Sequence, residues 1–193
     1  MNEESQGPKV LVKMPVSLMP AVGRGFLTLT RKQFSPFLSE IRLREVSMKN
    51  SGQVVGVCTS ERKTDPKKNV ETGFLQRGWG LSGDSHAGTE KEVSLLAIES
   101  IQKLCQETGI SAGPGYFAEN ITTRGMDLTS LPIGSKLQVG EAELEIIQIG
   151  KDPSQAHTYN YQGYSILPKD GVFCKVIASG QVKIGDPIRT IRG

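Results

Sequence analysis

The sequence predicts a mainly β fold: a closed or nearly closed barrel with one clear amphipathic helix and a few short ones. Three observations lead there. Short alternating or apolar runs of strand length recur from Gly52 onward. Only one stretch carries a convincing helical period. The 22 glycines and 10 prolines among 193 residues supply many turns, which favours short strands over long helices.

Residues 1–47 differ from the rest. They carry seven Lys/Arg and four Glu, and no acid occurs between Glu4 and Glu40. Gly25–Arg31 reads as a strand, and 37–46 as a strand or short helix. The segment resembles a transit peptide in its basic bias, but MNEE is the wrong opening, and Pro8, Pro15 and Pro20 interrupt any secretory signal. The expected division is an N-terminal extension over 1–47 and one domain over 48–193. The domain holds sixteen residues of each charge sign, so a general nucleic-acid binder is excluded. No apolar run approaches the roughly 20 residues of a membrane helix.

QVVGVCTS (53–60) reads as a strand buried on both faces, Val55 and Val57 on one and Val54, Gly56 and Cys58 on the other. ERKTDPKKN (61–69) is a charged loop. Ser94–Thr108 is the helix: Ala97, Ile98, Ile101, Leu104 and Cys105 share a face, and Gly109 stops it. AENITTRG (118–125) alternates. SKLQVGEAELEIIQIG (135–150) is a hairpin turning at Gly140-Glu141, with a slip at Ile146-Ile147 that predicts a β-bulge. GVFCKVIASG (171–180) and QVKIGDPIRTI (181–191) are further strands. Cys174 alternates with Val172 and Val176, the pattern of a core side chain.

Cys58, Cys105 and Cys174 are too far apart for a zinc motif, and an odd, sparse count points to a reducing, cytoplasmic setting. Gly78, Gly80 and Gly83 in RGWGLSGDSHAG (77–88) match G-x-G-x-x-G. The flanks do not: no strong strand precedes them and DSHAGTEK starts no helix, so a dinucleotide site is rejected. The glycines instead allow a tight loop ending in Asp84 and His86. Those two either close an Asx-turn and a backbone contact or serve a site.

GLSGDSHAG (80–88), VSLLAIESI (93–101), FAENITTRGMDLTSLPIGSKLQVGEAELEIIQIGK (117–151) and GVFCKVIASGQVKIGD (171–186) together resemble a stand-alone MOSC domain, the module found at the C-terminus of molybdenum-cofactor sulfurases. The resemblance covers about residues 50–190 in order. It implies a MOSC-type β-barrel, and an association with the molybdenum cofactor, molybdenum ion, pyridoxal phosphate or sulfur carriage. Its partners would be a small-molecule cofactor and a sulfur donor or molybdoenzyme, with no nucleic acid and no membrane.

A pterin dithiolene with a phosphate needs amide-like partners and positive charge. Asp84, His86, Glu119, Asn120 and Lys151 are the candidate cofactor-binding residues, with Lys63, Lys67 and Lys68 as further candidates for the phosphate. Asn120 could equally make a turn or bulge bond to backbone. Small MOSC proteins usually carry a cysteine after Q-x-G-K. Here QIGKDPSQAHTYNYQG (148–163) has Pro153 at that position and His157 near the second. The usual sulfur or metal-ligand role therefore cannot be copied onto this chain. Cys174 remains the candidate catalytic thiol, and no metal ligand is assigned. The alternative is a non-catalytic ligand-binding or interaction module that kept the barrel and lost the cysteine.

Overall fold

The computed structural model describes residues 50–63, 65–151 and 159–191. The chain divides into two units, 1–38 and 39–193, and the described residues all belong to the second. The readings of 25–31 and 37–46 as regular elements, the boundary at 47/48, and His157 lie outside the described residues.

Eleven strands are described: β1 Ser51–Thr59, β2 Lys68–Asn69, β3 Thr72–Gln76, β4 Gly80–Leu81, β5 Val93–Ala97, β6 Ile121–Arg124, β7 Lys136–Val139, β8 Ala142–Ile149, β9 Val172–Ala178, β10 Gly180–Lys183 and β11 Pro187–Ile191. Helix α1 spans Ile98–Thr108 and α2 Leu167–Asp170, with a 3-10 turn at Leu128–Ser130. Seven strands form a barrel in the order β11-β7-β8-β9-β5-β6-β1, closed by pairing of β1 with β11. Among the described strands only β5 and β6 run parallel, with α1 as their crossover. A smaller sheet, β10-β3-β4, lies beside the barrel sheet, and β2 hangs on the end of β1.

The barrel interior follows from alternation. Leu137 and Val139 on β7, Ala142, Leu144 and Ile146 on β8, and Val172, Cys174 and Val176 on β9 all point into one apolar cluster. A second cluster lies outside the barrel wall, where Ile98 and Ile101 of α1 meet Leu96, Phe117 and Leu167. The expected hairpin turns at Gly140, whose φ of 57° suits glycine. The expected bulge is present as a register shift against β9 between Ile146 and Gln148.

Three expectations need correction. The helix starts at Ile98, not Ser94, because 93–97 is strand β5. Val93 and Leu95 face the barrel interior while Leu96 faces the outer cluster. A strand apolar on both faces has no period to separate it from the helix that follows. Second, Val54 pairs with Val57, not with Cys58. A bulge between Val54 and Gly56 against β6 turns both valines inward and sends Val55 toward the outer cluster. Third, 181–191 is two strands in two sheets. Gly185, at φ 94°, breaks it, and Asp186 accepts the Lys183 N–H at 2.9 Å to close the turn.

Candidate functional site

The glycine loop ends in a buried ion pair. Gly83 takes a φ of 81°, and Asp84 follows with its side chain fully covered. Its Oδ1 accepts the His86 N–H at 3.0 Å, an Asx-turn, and its Oδ2 accepts the Ser60 N–H at 3.1 Å. Lys67 Nζ donates to both oxygens at 2.6 Å and is itself 1% exposed. No helix follows the loop.

Burial alone would push the Asp84 carboxyl up. The contact with His86 and the Lys67 ammonium outweigh that and hold it well below the usual carboxylate range. Lys67 is held below its ordinary value by burial, which Asp84 only partly offsets. His86 stays partly open, its side chain 35% exposed, with Nδ1 3.5 Å from Asp84 Oδ1 and 3.4 Å from Ser85 Oγ.

A second polar cluster forms where the chain enters β6. Ala118 sits in the left-handed region at φ 67°, which turns Glu119 inward. The Glu119 carboxylate accepts from the Gly115 N–H at 2.7 Å, the Phe117 N–H at 3.2 Å and the Thr122 hydroxyl at 2.7 Å. Its pKa is raised by burial. Asn120 Oδ1 accepts from the Ser94 N–H at 3.1 Å and the Ser94 hydroxyl at 3.0 Å, while Nδ2 donates to the Cys58 carbonyl at 3.3 Å.

The two clusters meet at the C-terminal end of β1. Cys58 N–H donates to the Asn120 carbonyl at 2.7 Å. Its thiol is fully buried and pushed well above its ordinary range by burial and then by Glu119. Lys67 binds the same place through its backbone, donating to the Gly115 carbonyl at 3.1 Å. Gly115, at φ 88°, leaves no room for a side chain: a Cβ there would lie 2.4 Å from the Lys67 carbonyl oxygen and 3.1 Å from Cys58 Sγ.

So Asp84, His86, Glu119 and Asn120 are brought to one region from segments far apart in sequence. Asp84, Glu119 and Asn120 are turned into the protein, and each already has protein partners. Lys67 joins them as the buried counter-ion of Asp84, whereas Lys63 and Lys68 are exposed. Lys151 lies with Lys91 over the Phe173 ring, their Nζ atoms 5.8 and 4.9 Å from its centroid. Cys174 is apart from all of these. It is fully buried in the barrel interior, and burial pushes its thiol far up.

Sequence reasoning missed Ser60, Ser94, Cys58 and Lys91. Lys91 had a usable signal, because it follows the same loop as His86 and lies two residues before an apolar strand. Tyrosines gather nearby: Tyr159 Oη donates to the Tyr116 carbonyl at 3.0 Å, and the Tyr116 and Tyr161 rings lie 4.8 Å apart. Two surface depressions lie elsewhere, one beside Glu99, Met126 and Asp127, the other beside Gln102, Cys105 and Ser111. Among the described residues, no group of three or more His, Cys, Asp or Glu is placed to hold a metal ion, and no helix is long and apolar enough to cross a membrane.

The barrel and these motifs place the protein in a defined class. The family model for the MOSC domain matches residues 82–189, more than half of the chain, and the chain belongs to that family. Solved structures share the fold. The YuaD protein of Bacillus subtilis is 21% identical with a TM-score of 0.56, over 72% of this chain and 95% of that one. YiiM from Escherichia coli is 21% identical at 0.54, over 74% and 70%. YiiM from Geobacillus stearothermophilus is 19% identical at 0.53, over 73% of each. A comparison with curated proteins returns no match.

Proposed function

We propose that this MOSC domain is a binding module for the molybdenum cofactor or its pterin-phosphate part, and that it works without a sulfur-carrying cysteine. The observation that carries the reading is the state of the thiols. Cys58 and Cys174 are both fully buried with pKa values raised by burial, and Pro153 stands where small MOSC proteins usually place their cysteine. A thiolate, not a thiol, carries sulfur or binds a soft metal. Sulfur transfer through Cys174 would require opening the barrel wall.

The residues fit the cofactor unevenly. Lys91 and Lys151 suit a phosphate, and His86 offers a partly exposed imidazole to polar ring atoms. No described thiolate is placed to hold molybdenum, so no chemical step is assigned through the metal. Asp84, Lys67, Glu119 and Asn120 act as a saturated frame that fixes the His86 turn. The partner would be a cofactor-assembly protein or molybdoenzyme that delivers or accepts the ligand. Three free cysteines suit a reducing, cytoplasmic setting.

Equilibrium binding of purified cofactor to the folded protein is the direct test. Saturable binding, unchanged in Cys174→Ser, is expected. No retention by a folded sample would end the binding reading. Loss of a sulfur-transfer activity in Cys174→Ser, with binding intact, would restore the catalytic one.

A further inference from the structure

We infer that Trp79 is a stacking platform for a flat heterocycle, with its indole N–H placed to donate to an oxygen or nitrogen of the stacked ring's edge. The inference rests on the cofactor reading and deepens it by naming a side chain that meets the pterin ring. Asp84, Lys67, Glu119 and Asn120 are saturated by one another and by backbone, whereas the central side chain of the RGWGLSGDSHAG loop is not.

Trp79 is the one tryptophan of the chain, and it is 47% exposed. A single exposed apolar residue is ordinary. What sets this one apart is how firmly it is held. Its N–H donates to the Gln76 carbonyl at 3.1 Å, and its carbonyl accepts the Gly88 N–H at 2.6 Å. The next residue, Gly80, is pressed against the Glu92 carbonyl oxygen, which stands 2.4 Å from where a Cβ would be. The ring rests on Gly88. A Cβ there would lie 2.6 Å from Trp79 Cζ3, 2.9 Å from Cη2 and 3.1 Å from Cε3. Three successive ring atoms at such similar distances mean an approach through the face. An approach in the ring plane would leave the outer two well behind the nearest. Gly88, at a φ of 75°, carries no side chain to displace the ring.

With that face covered, the open half of the residue comprises the opposite face and the edges. Among the described residues the indole N–H meets no acceptor, and no other ring or cation packs on the indole. Flat heterocycles attract an indole in offset stacks, and a side chain already fixed loses little further freedom on stacking. Gly88 follows His86 by two residues, so their Cα atoms are at most roughly 7 Å apart. The platform and the half-open imidazole therefore project from one turn.

The test uses the full chain, in which Trp79 is the sole source of tryptophan emission. Titration with a pterin should quench that emission saturably and shield it from acrylamide. Glycerol phosphate, which has no flat ring, should do neither. Calorimetric titration should show Trp79→Leu weakening pterin binding about tenfold, the scale of one lost stack, and Trp79→Phe weakening it far less. Trp79 lies outside both core clusters, so Trp79→Leu should keep a cooperative thermal transition. Absence of any pterin binding overturns the platform. So does pterin binding with unchanged emission, or with equal affinity in Trp79→Leu, and either result leaves the cofactor reading standing. Quenching by pterin in a protein that does not retain the whole cofactor keeps the platform and removes the cofactor reading. Emission that shifts with protein concentration alone, with a matching rise in mass on sedimentation, assigns the indole to a contact between copies and overturns the platform.

Discussion

Replacing Lys67 with Met tests whether the buried pair with Asp84 is what holds the glycine loop. The substitution removes both 2.6 Å contacts and leaves a covered carboxylate with the Ser60 and His86 N–H donors and the His86 ring, its Nδ1 3.5 Å away. Removing one partner of such a pair costs about 3–5 kcal/mol, because an uncompensated charge stays buried. For a chain of this size that is a fall in Tm of about 6–20 °C. The pH dependence gives a sharper check. In the native protein the Asp84 pKa is depressed, so its stabilising contribution is complete above the unfolded carboxylate value of about 3.9 and is lost as pH falls below it. Without Lys67 the burial that raises the Asp84 pKa is opposed by fewer groups, chiefly the His86 contacts, so the folded carboxyl of the variant protonates at a higher pH than in the native protein. Acidification then costs the variant less stability than it costs the native protein. Urea unfolding of both proteins from pH 7 down to pH 3 should therefore show the stability gap narrowing as pH falls. A loss under about 1 kcal/mol at pH 7, or a gap that does not narrow, would show that the pair is incidental.

Asn120→Ala strands the Ser94 donors and the Cys58 carbonyl in a covered site, so unfolding free energy should drop by about 2–4 kcal/mol; a change confined to ligand affinity would contradict its framing role. Gly80→Ala should destabilise far more than Gly83→Ala. A Cβ at Gly80 would lie 2.4 Å from the Glu92 carbonyl oxygen, whereas at Gly83 it meets nothing within 4 Å and costs only the roughly 1–2 kcal/mol of a positive φ; comparable denaturant midpoints for the two variants would refute this. Native-state thiol labelling should modify Cys105, which is half-buried, and leave Cys58 and Cys174 unreacted until unfolding. Rapid reaction of Cys174 would reopen the case for its chemistry.

The barrel was legible wherever one face was wet. β7 and β8 alternate cleanly, so their hairpin, its turn and even its bulge could be read from spacing. The same rule failed at Val93–Ala97, where both faces are covered and four successive residues are buried. It failed again at Val54 and Val57, where a bulge shifts the parity of the strand. Asp84 and Asn120 could be marked as polar groups of interest. That Lys67 rather than Lys63 or Lys68 meets Asp84 could not be read, because a loop of like residues does not say which one turns inward. The Lys91–Phe173–Lys151 contact depends on the offset between three strands, which no local pattern encodes.

Closure of the barrel joins its first strand to its last. Ser51 of β1 faces Arg189 of β11, and the Thr190 N–H donates to the Asn50 carbonyl at 3.0 Å. Entry and exit of the module therefore stand side by side, like the two wires of a plug. A domain built this way can be spliced into a surface loop of a host polypeptide, or have its ends fused and new ones cut elsewhere, without a single ladder being broken.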